Sequence, residues 1–238
     1  MNHDITIEVL TEFSTAFSSN PVNHIAMNAV TSAGLLAASK NPMAQRESRH
    51  SYSISLEQGE ITNQKQSGRC WMFAALNTFR FEVMKNLNLK TFELSQNYTL
   101  FYDKLEKSNY FLESILETLD EPTQGRLISF LLSAPLGDGG QWDMLCNLVR
   151  KYGVVPKEAM PETVSSSATR EMTSALTRKL REDACRLRKA YADGSTLDEL
   201  RQKKEAMMEE IYRVLCICLG EPPKTFDLEV TDKDDKFI

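Results

Sequence analysis

The chain has 238 residues, 42% of them apolar and 26% charged, with a formal net charge of −5. That is enough apolar material for one large domain or two small ones, and the acidic balance argues against a polyanion binder overall. No apolar run approaches the ~20 residues of a membrane span. Met1-Asn2-His3-Asp4 lacks the basic-then-apolar layout of a secretory signal. The five cysteines (Cys70, Cys146, Cys185, Cys216 and Cys218) are irregularly spaced and suggest no disulfide framework. A soluble protein of a reducing compartment is expected.

From the N-terminus, Ile5, Val9, Leu10, Phe13 and Phe17 recur at helical spacing and predict an amphipathic helix over 4–18, stopped by Ser18-Ser19-Asn20-Pro21. An Ala-rich helix is predicted over 23–39, ended by Asn41-Pro42. His3, His24 and His50 form no metal-spaced cluster with cysteines or carboxylates, so they read as structural or solvated, and no metal or cofactor is expected. Arg46 to His50 is a loop of mixed charge, and Tyr52 to Leu56 alternates as a strand would.

The chain is organised around Ile61-Thr62-Asn63-Gln64-Lys65-Gln66-Ser67-Gly68-Arg69-Cys70-Trp71-Met72-Phe73-Ala74-Ala75-Leu76. A polar, glycine-containing turn runs into an apolar helix, and Cys70 stands at the joint. A lone cysteine is ordinarily inert packing. At a helix start, however, unpaired N–H groups and the helix dipole favour the thiolate, which is the nucleophilic form. The same N–H groups can hold an oxyanion formed when sulfur attacks a carbonyl. Gln64, in the same turn, offers a side-chain amide as a second donor, and Trp71 is placed to pack behind the sulfur.

A central helix is predicted over 71–85, apolar on most sides through Phe73, Leu76, Phe79, Val83 and Leu87. Ser95 reads as the N-cap of another helix, and 109–119 and 125–133 as two more. Gly139-Gly140 precedes a helix over 141–151. Two glycines allow φ > 0 or a close approach of another backbone, so they are either a plain turn or a contact for an extended chain. Gly153 stops the following helix.

Beyond Thr163 a charged helical hairpin is predicted. Its first helix spans 168–192. Its second opens with the capping box Thr196-Leu197-Asp198-Glu199 and ends at Gly220. Between Arg170 and Lys204 ten Lys/Arg face six Asp/Glu. That excess reads either as a solvated helix face with i,i+4 pairs or as a surface for an anionic partner. Cys216 and Cys218, at i,i+2, diverge on a helix and read as core. Residues 225–230 alternate as a strand.

The string from Asn63 to Trp71 resembles the nucleophile segment of papain-like cysteine peptidases, specifically the cytosolic bleomycin hydrolase/aminopeptidase C branch. Leu94-Ser95-Gln96-Asn97, Gly139-Gly140-Gln141-Trp142 and Lys151-Tyr152-Gly153-Val154 resemble that family's later landmarks. The resemblance implies an α+β, papain-like fold, represented mainly by its helical half. The division expected is an N-terminal arm (1–60), a nucleophile-bearing helical part (61–162), a helical insertion (163–220) and the start of a β-rich half (221–238).

It further implies that Cys70 is the nucleophile and Gln64 an oxyanion donor. Gly139, Gly140 and Trp71 would contact a peptide substrate. In secreted relatives a cysteine three residues before the nucleophile is bridged to one just ahead of the Gly-Gly pair. Ser67 and Gly137 stand at those positions here, which fits a cytoplasmic relative. The family's histidine follows the cysteine by about 130–150 positions, yet no histidine follows Cys70 here. The catalytic His and Asn are therefore expected beyond Ile238, leaving these residues inactive alone. A homohexamer is implied by resemblance, and nucleic-acid binding through the hairpin is the weaker partner expectation. The competing reading is a non-catalytic interaction module.

Overall fold

The structure, a computed structural model, describes residues 4–47, 51–56 and 58–238. The chain divides into two compact units, Met1–Leu56 and Glu57–Ile238.

The first unit holds α1 (Ile7–Ser18), α2 (Pro21–Ala33), α3 (Leu35–Ala38) and α4 (Pro42–Glu47). Thr6 caps α1 by accepting from the Val9 N–H, and Asn20 caps α2 ahead of Pro21 at its first position. The single helix expected over 23–39 is broken in two. Gly34 adopts φ 82°, a left-handed conformation that ends α2. None of this unit's described residues is buried. The strand-like 52–56 segment forms no strand, and Arg46 and Glu47 belong to α4 rather than to a loop. His3 and His50 lie outside the described residues. His24 stands edge-on to Phe17, ring centroids 5.6 Å apart.

The second unit contains α5 (Cys70–Asn86), α6 (Gln96–Glu117), α7 (Arg126–Ser133), α8 (Trp142–Tyr152), a 3-10 turn (Lys157–Ala159), α9 (Val164–Ser167), α10 (Arg170–Ala192) and α11 (Leu197–Leu219). Helix α6 is its axis. With no glycine or proline between Gln96 and Glu117, nothing interrupts it, so the two helices read from Ser95 and over 109–119 are one. Ser95 caps it as expected, accepting from the Tyr98 N–H at 3.0 Å. Leu100, Phe101, Leu112 and Ile115 on α6 are fully enclosed, packed against α10 and α11 on one side and α5 and α8 on others. The core is continuous from Met72 through the hairpin to Leu219.

The Thr196 capping box forms in both directions. Gly153 and Gly220 end α8 and α11 with φ 74° and 89°. The buried stripe of α11 is Leu200, Lys204, Met207, Ile211, Leu215 and Leu219. Lys204 takes an apolar register position because its stem packs inward while its ammonium pairs with Glu113. Leu197, inside the capping box, is exposed. Cys216 and Cys218 are half-buried free thiols.

Residues 225–230 form no strand. Thr231 bridges Phe237, Val230 and Ile238 exchange two backbone hydrogen bonds, and the Lys233 N–H donates to the Asn88 carbonyl at 2.7 Å. A strand is a property of a pair, and an alternating run without a neighbouring strand has no ladder to join.

Candidate active site

Cys70 is the first helical residue of α5 and is solvent-exposed. The turn before it is fixed residue by residue. Asn63 Oδ1 accepts from the Lys65 N–H at 2.8 Å, and this Asx turn places Lys65 at φ 51°. Ser67 Oγ donates to the Gln64 carbonyl at 2.7 Å. Arg69, 1% exposed, donates through Nε to Ser67 Oγ and forks onto both carboxylate oxygens of Glu162 at 2.8 and 2.7 Å. A bidentate guanidinium–carboxylate pair is both strong and directional. The Gln66 N–H donates to the Ser167 carbonyl, tying the turn to α9. No side chain caps α5. Neither the Cys70 nor the Trp71 N–H finds an acceptor among the described residues, so that helix start retains free donors.

A second loop, from Gly137 to Gln141, lies against this turn. Asp138 joins them: its carboxylate accepts from the Gly68 N–H at 3.3 Å, from the Thr169 hydroxyl at 2.6 Å and from the Lys104 ammonium. Its carbonyl accepts from Trp71 Nε1 at 2.9 Å. The Lys104 side chain is completely enclosed and also donates to the Gly137 carbonyl at 2.9 Å. Burial alone pushes the Asp138 carboxyl up; the Lys104 ammonium, the Thr169 hydroxyl and the Gly68 N–H outweigh it and hold the group at about 2. Ser67 and Gly137, where a disulfide is missing, thus belong to segments stitched by a buried ion pair and its hydrogen bonds.

The two glycines differ. A Cβ built on Gly140 would lie 2.5 Å from Trp71 ring atoms, whereas one on Gly139 would meet nothing within 4 Å. Neither has a positive φ, so close approach explains Gly140, and left-handed backbone explains neither. The Gly139 carbonyl accepts from Lys107 Nζ at 2.7 Å. The N–H and C=O of Gly140 are unpaired among the described residues.

Cys70, Trp71, Gly139 and Gly140 therefore meet at one helix–loop junction. Gln64 belongs to the same turn; its Oε1 is buried without a donor, and its amide has no partner among the described residues. Sequence reasoning missed Arg69, Glu162, Lys104, Lys107 and Asp138. Arg69 meets Glu162, Lys104 meets Asp138 and Lys107 meets the Gly137 carbonyl across 30 to 93 positions, a separation at which local pattern gives no sign of the partner. Among the described residues no group of three or more His, Cys, Asp or Glu could hold a metal ion, and no helix is long and apolar enough to cross a membrane.

Comparison with known proteins places the chain in a class. The model of the Peptidase C1-like family matches residues 4–238, and the chain belongs to that family. It is 48% identical over 237 residues to aminopeptidase C of Listeria monocytogenes, covering all of this chain and 53% of that protein. It is 45% identical over 224 residues to human bleomycin hydrolase, covering 92% and 49%. The crystal structure of PepW from Lactobacillus rhamnosis superposes with a TM-score of 0.96 at 46% identity, covering all of this chain and 53% of that one. The fold is the helix-dominated portion of a papain-like peptidase. The chain spans about half the length of the curated relatives it matches.

Proposed function

We propose that this chain carries the thiol-bearing side of a cysteine aminopeptidase of the bleomycin hydrolase/aminopeptidase C type. The observation that carries this reading is the exposed Cys70 at an uncapped helix start, with the unpaired backbone of Gly140 in the loop pinned to Trp71. The Cys70 thiolate attacks a peptide carbonyl carbon. A C–S bond forms, and the carbonyl electrons move onto oxygen. The free Cys70 N–H and the Gln64 amide stabilise that oxyanion. On its collapse the C–N bond breaks, the amine leaves with a proton, and water later releases the acid product. Gly140 pairs with the peptide backbone, in the manner of an added strand.

No histidine follows Cys70 in this sequence; by the family resemblance, the proton-transferring histidine and the asparagine that orients it belong to the half of the relatives' length that this chain does not span. A cytoplasmic homohexamer acting on peptides is the setting that the family resemblance implies. The basic run of the hairpin supports intramolecular work over nucleic-acid binding. Arg181 and Arg188 donate to carbonyls at the ends of α7 and α6, and Lys179, Arg186, Arg201 and Lys204 pair with carboxylates.

The test is an aminopeptidase assay of residues 1–238 beside the natural protein. Turnover is expected only in the latter and lost in Cys70→Ala. Equal Cys70-dependent turnover in 1–238 would make His24 or His50 the base and overturn the assignment of that role. Undiminished activity in Cys70→Ala would overturn the reading altogether.

A further inference from the structure

Lys107 on α6 connects the glycine loop to the residue after Cys70. Its ammonium donates to Asp103 Oδ2 at 2.8 Å, to the Gly137 carbonyl at 3.2 Å and to the Gly139 carbonyl at 2.7 Å, and it lies 5.5 Å from the centre of the Trp71 ring. The side chain is 15% exposed, and that of its carboxylate partner Asp103 is 2% exposed. This cation is therefore held from three directions, by α6, by the loop and by an aromatic face.

We propose that Lys107 is a positioning residue that decides which of the two glycines is presented to an extended peptide. An arriving strand needs an N–H and a C=O free on one residue. Gly139 has surrendered its carbonyl to the ammonium, while both backbone groups of Gly140 are unpaired. Trp71, bonded to the Asp138 carbonyl, then sets how closely Gly140 lies to the helix that begins with Cys70. The inference rests on the reading of Cys70 and Gly140 given above.

The experiment compares two reagents on the full chain, following mass addition at Cys70. One is a peptidyl chloromethyl ketone, in which the sulfur displaces chloride, forming C–S as C–Cl breaks. The other is iodoacetamide, which has no peptide backbone to align. The ratio of their second-order rate constants reports positioning and cancels changes in thiol reactivity. In Lys107→Met, which keeps an apolar stem against Trp71 but removes the ammonium, the ratio is expected to fall about tenfold, the effect of losing one charged hydrogen bond. Lys107→Arg should restore most of it. Asp103→Asn, which loosens the ammonium without removing it, should lower the ratio roughly threefold.

A ratio in folded Lys107→Met within twofold of the unsubstituted chain's overturns the proposal while leaving the site reading intact. If Lys107→Met does not fold, Asp103→Asn decides, and an unchanged ratio there overturns it equally. If the unsubstituted chain shows no preference for the peptidyl reagent, the reading of the site fails and the inference fails with it.

Discussion

Gly140 and Trp71 are in such close contact that a methyl group on the glycine would fall 2.5 Å from Cε2 and Cζ2 of the indole. The ring cannot swing aside freely, because its Nε1 donates to the Asp138 carbonyl. Gly140→Ala is therefore expected to destabilise the chain by about 1–3 kcal/mol, the usual cost of overpacking. Gly139→Ala, with open space around the new carbon and no positive φ, should stay within about 0.5 kcal/mol. Urea unfolding of both variants checks the contrast. Equal losses would mean that the loop relaxes around either residue.

The Asp138 carboxyl titrates at about 2 in the fold, below its ordinary value of 3.8. A depressed acid contributes stability that is present above 3.8 and lost as pH falls through about 2, on the order of 2 kcal/mol. Asp103 slopes the other way, since burial raises its carboxyl. In Asp138→Asn the fall in unfolding free energy between pH 4 and pH 2 should flatten by roughly that amount. An unaltered slope, followed by urea midpoints across the window, would assign the acid sensitivity to other carboxylates.

Removing only one member of an enclosed ion pair leaves the other unbalanced. Lys104→Met, with that side chain wholly buried against Asp138, should cost about 3–5 kcal/mol. Adding Asp138→Asn should recover part of that loss, because the stranded charge is removed as well. A double variant less stable than Lys104→Met by the full single-variant cost of Asp138→Asn would show that the residues act independently.

At the cysteine turn, Arg69 and Glu162 make a two-pronged pair. Lysine keeps the charge but cannot reproduce the fork, so Arg69→Lys is expected to lose about 2 kcal/mol. In a double-mutant cycle with Glu162→Gln the coupling should exceed about 1 kcal/mol. Additive losses would reduce Glu162 to a bystander.

In the natural protein, Gln64→Ala should lower kcat by about 10²–10³, the effect of losing one oxyanion donor, with KM moving far less. A variant with near-normal kcat would show that the amide serves the turn rather than the reaction.

Local chemistry was legible from the residue order. Ser95 and Thr196 announce their helices because a cap is a contact with the residue three places on, and Gly153 and Gly220 mark helix ends because few other residues tolerate that backbone. The Cys70 junction was visible for the same reason: a polar turn and an apolar helix adjoin within one short stretch. The break at Gly34 was missed because alanine-rich spacing continues through it. The strand read at 225–230 failed because alternation names a candidate but cannot supply its neighbour.

The division of labour inside the site comes from packing. Nothing adjacent to Lys104, Lys107 or Arg69 says that these cations are enclosed. Burial of Lys104 and Arg69 becomes favourable only when Asp138 and Glu162 arrive with matching charge, whereas Lys107 has Asp103 one turn before it on α6 and gains from the fold the Gly137 and Gly139 carbonyls. The two glycines look identical in the chain, and they are distinguished by an indole ring from α5 and an ammonium from α6. Helix starts and stops depend on neighbours a few residues away, so sequence holds them. Ion pairs across the fold depend on which surfaces the hydrophobic core brings together, and that is settled only by packing.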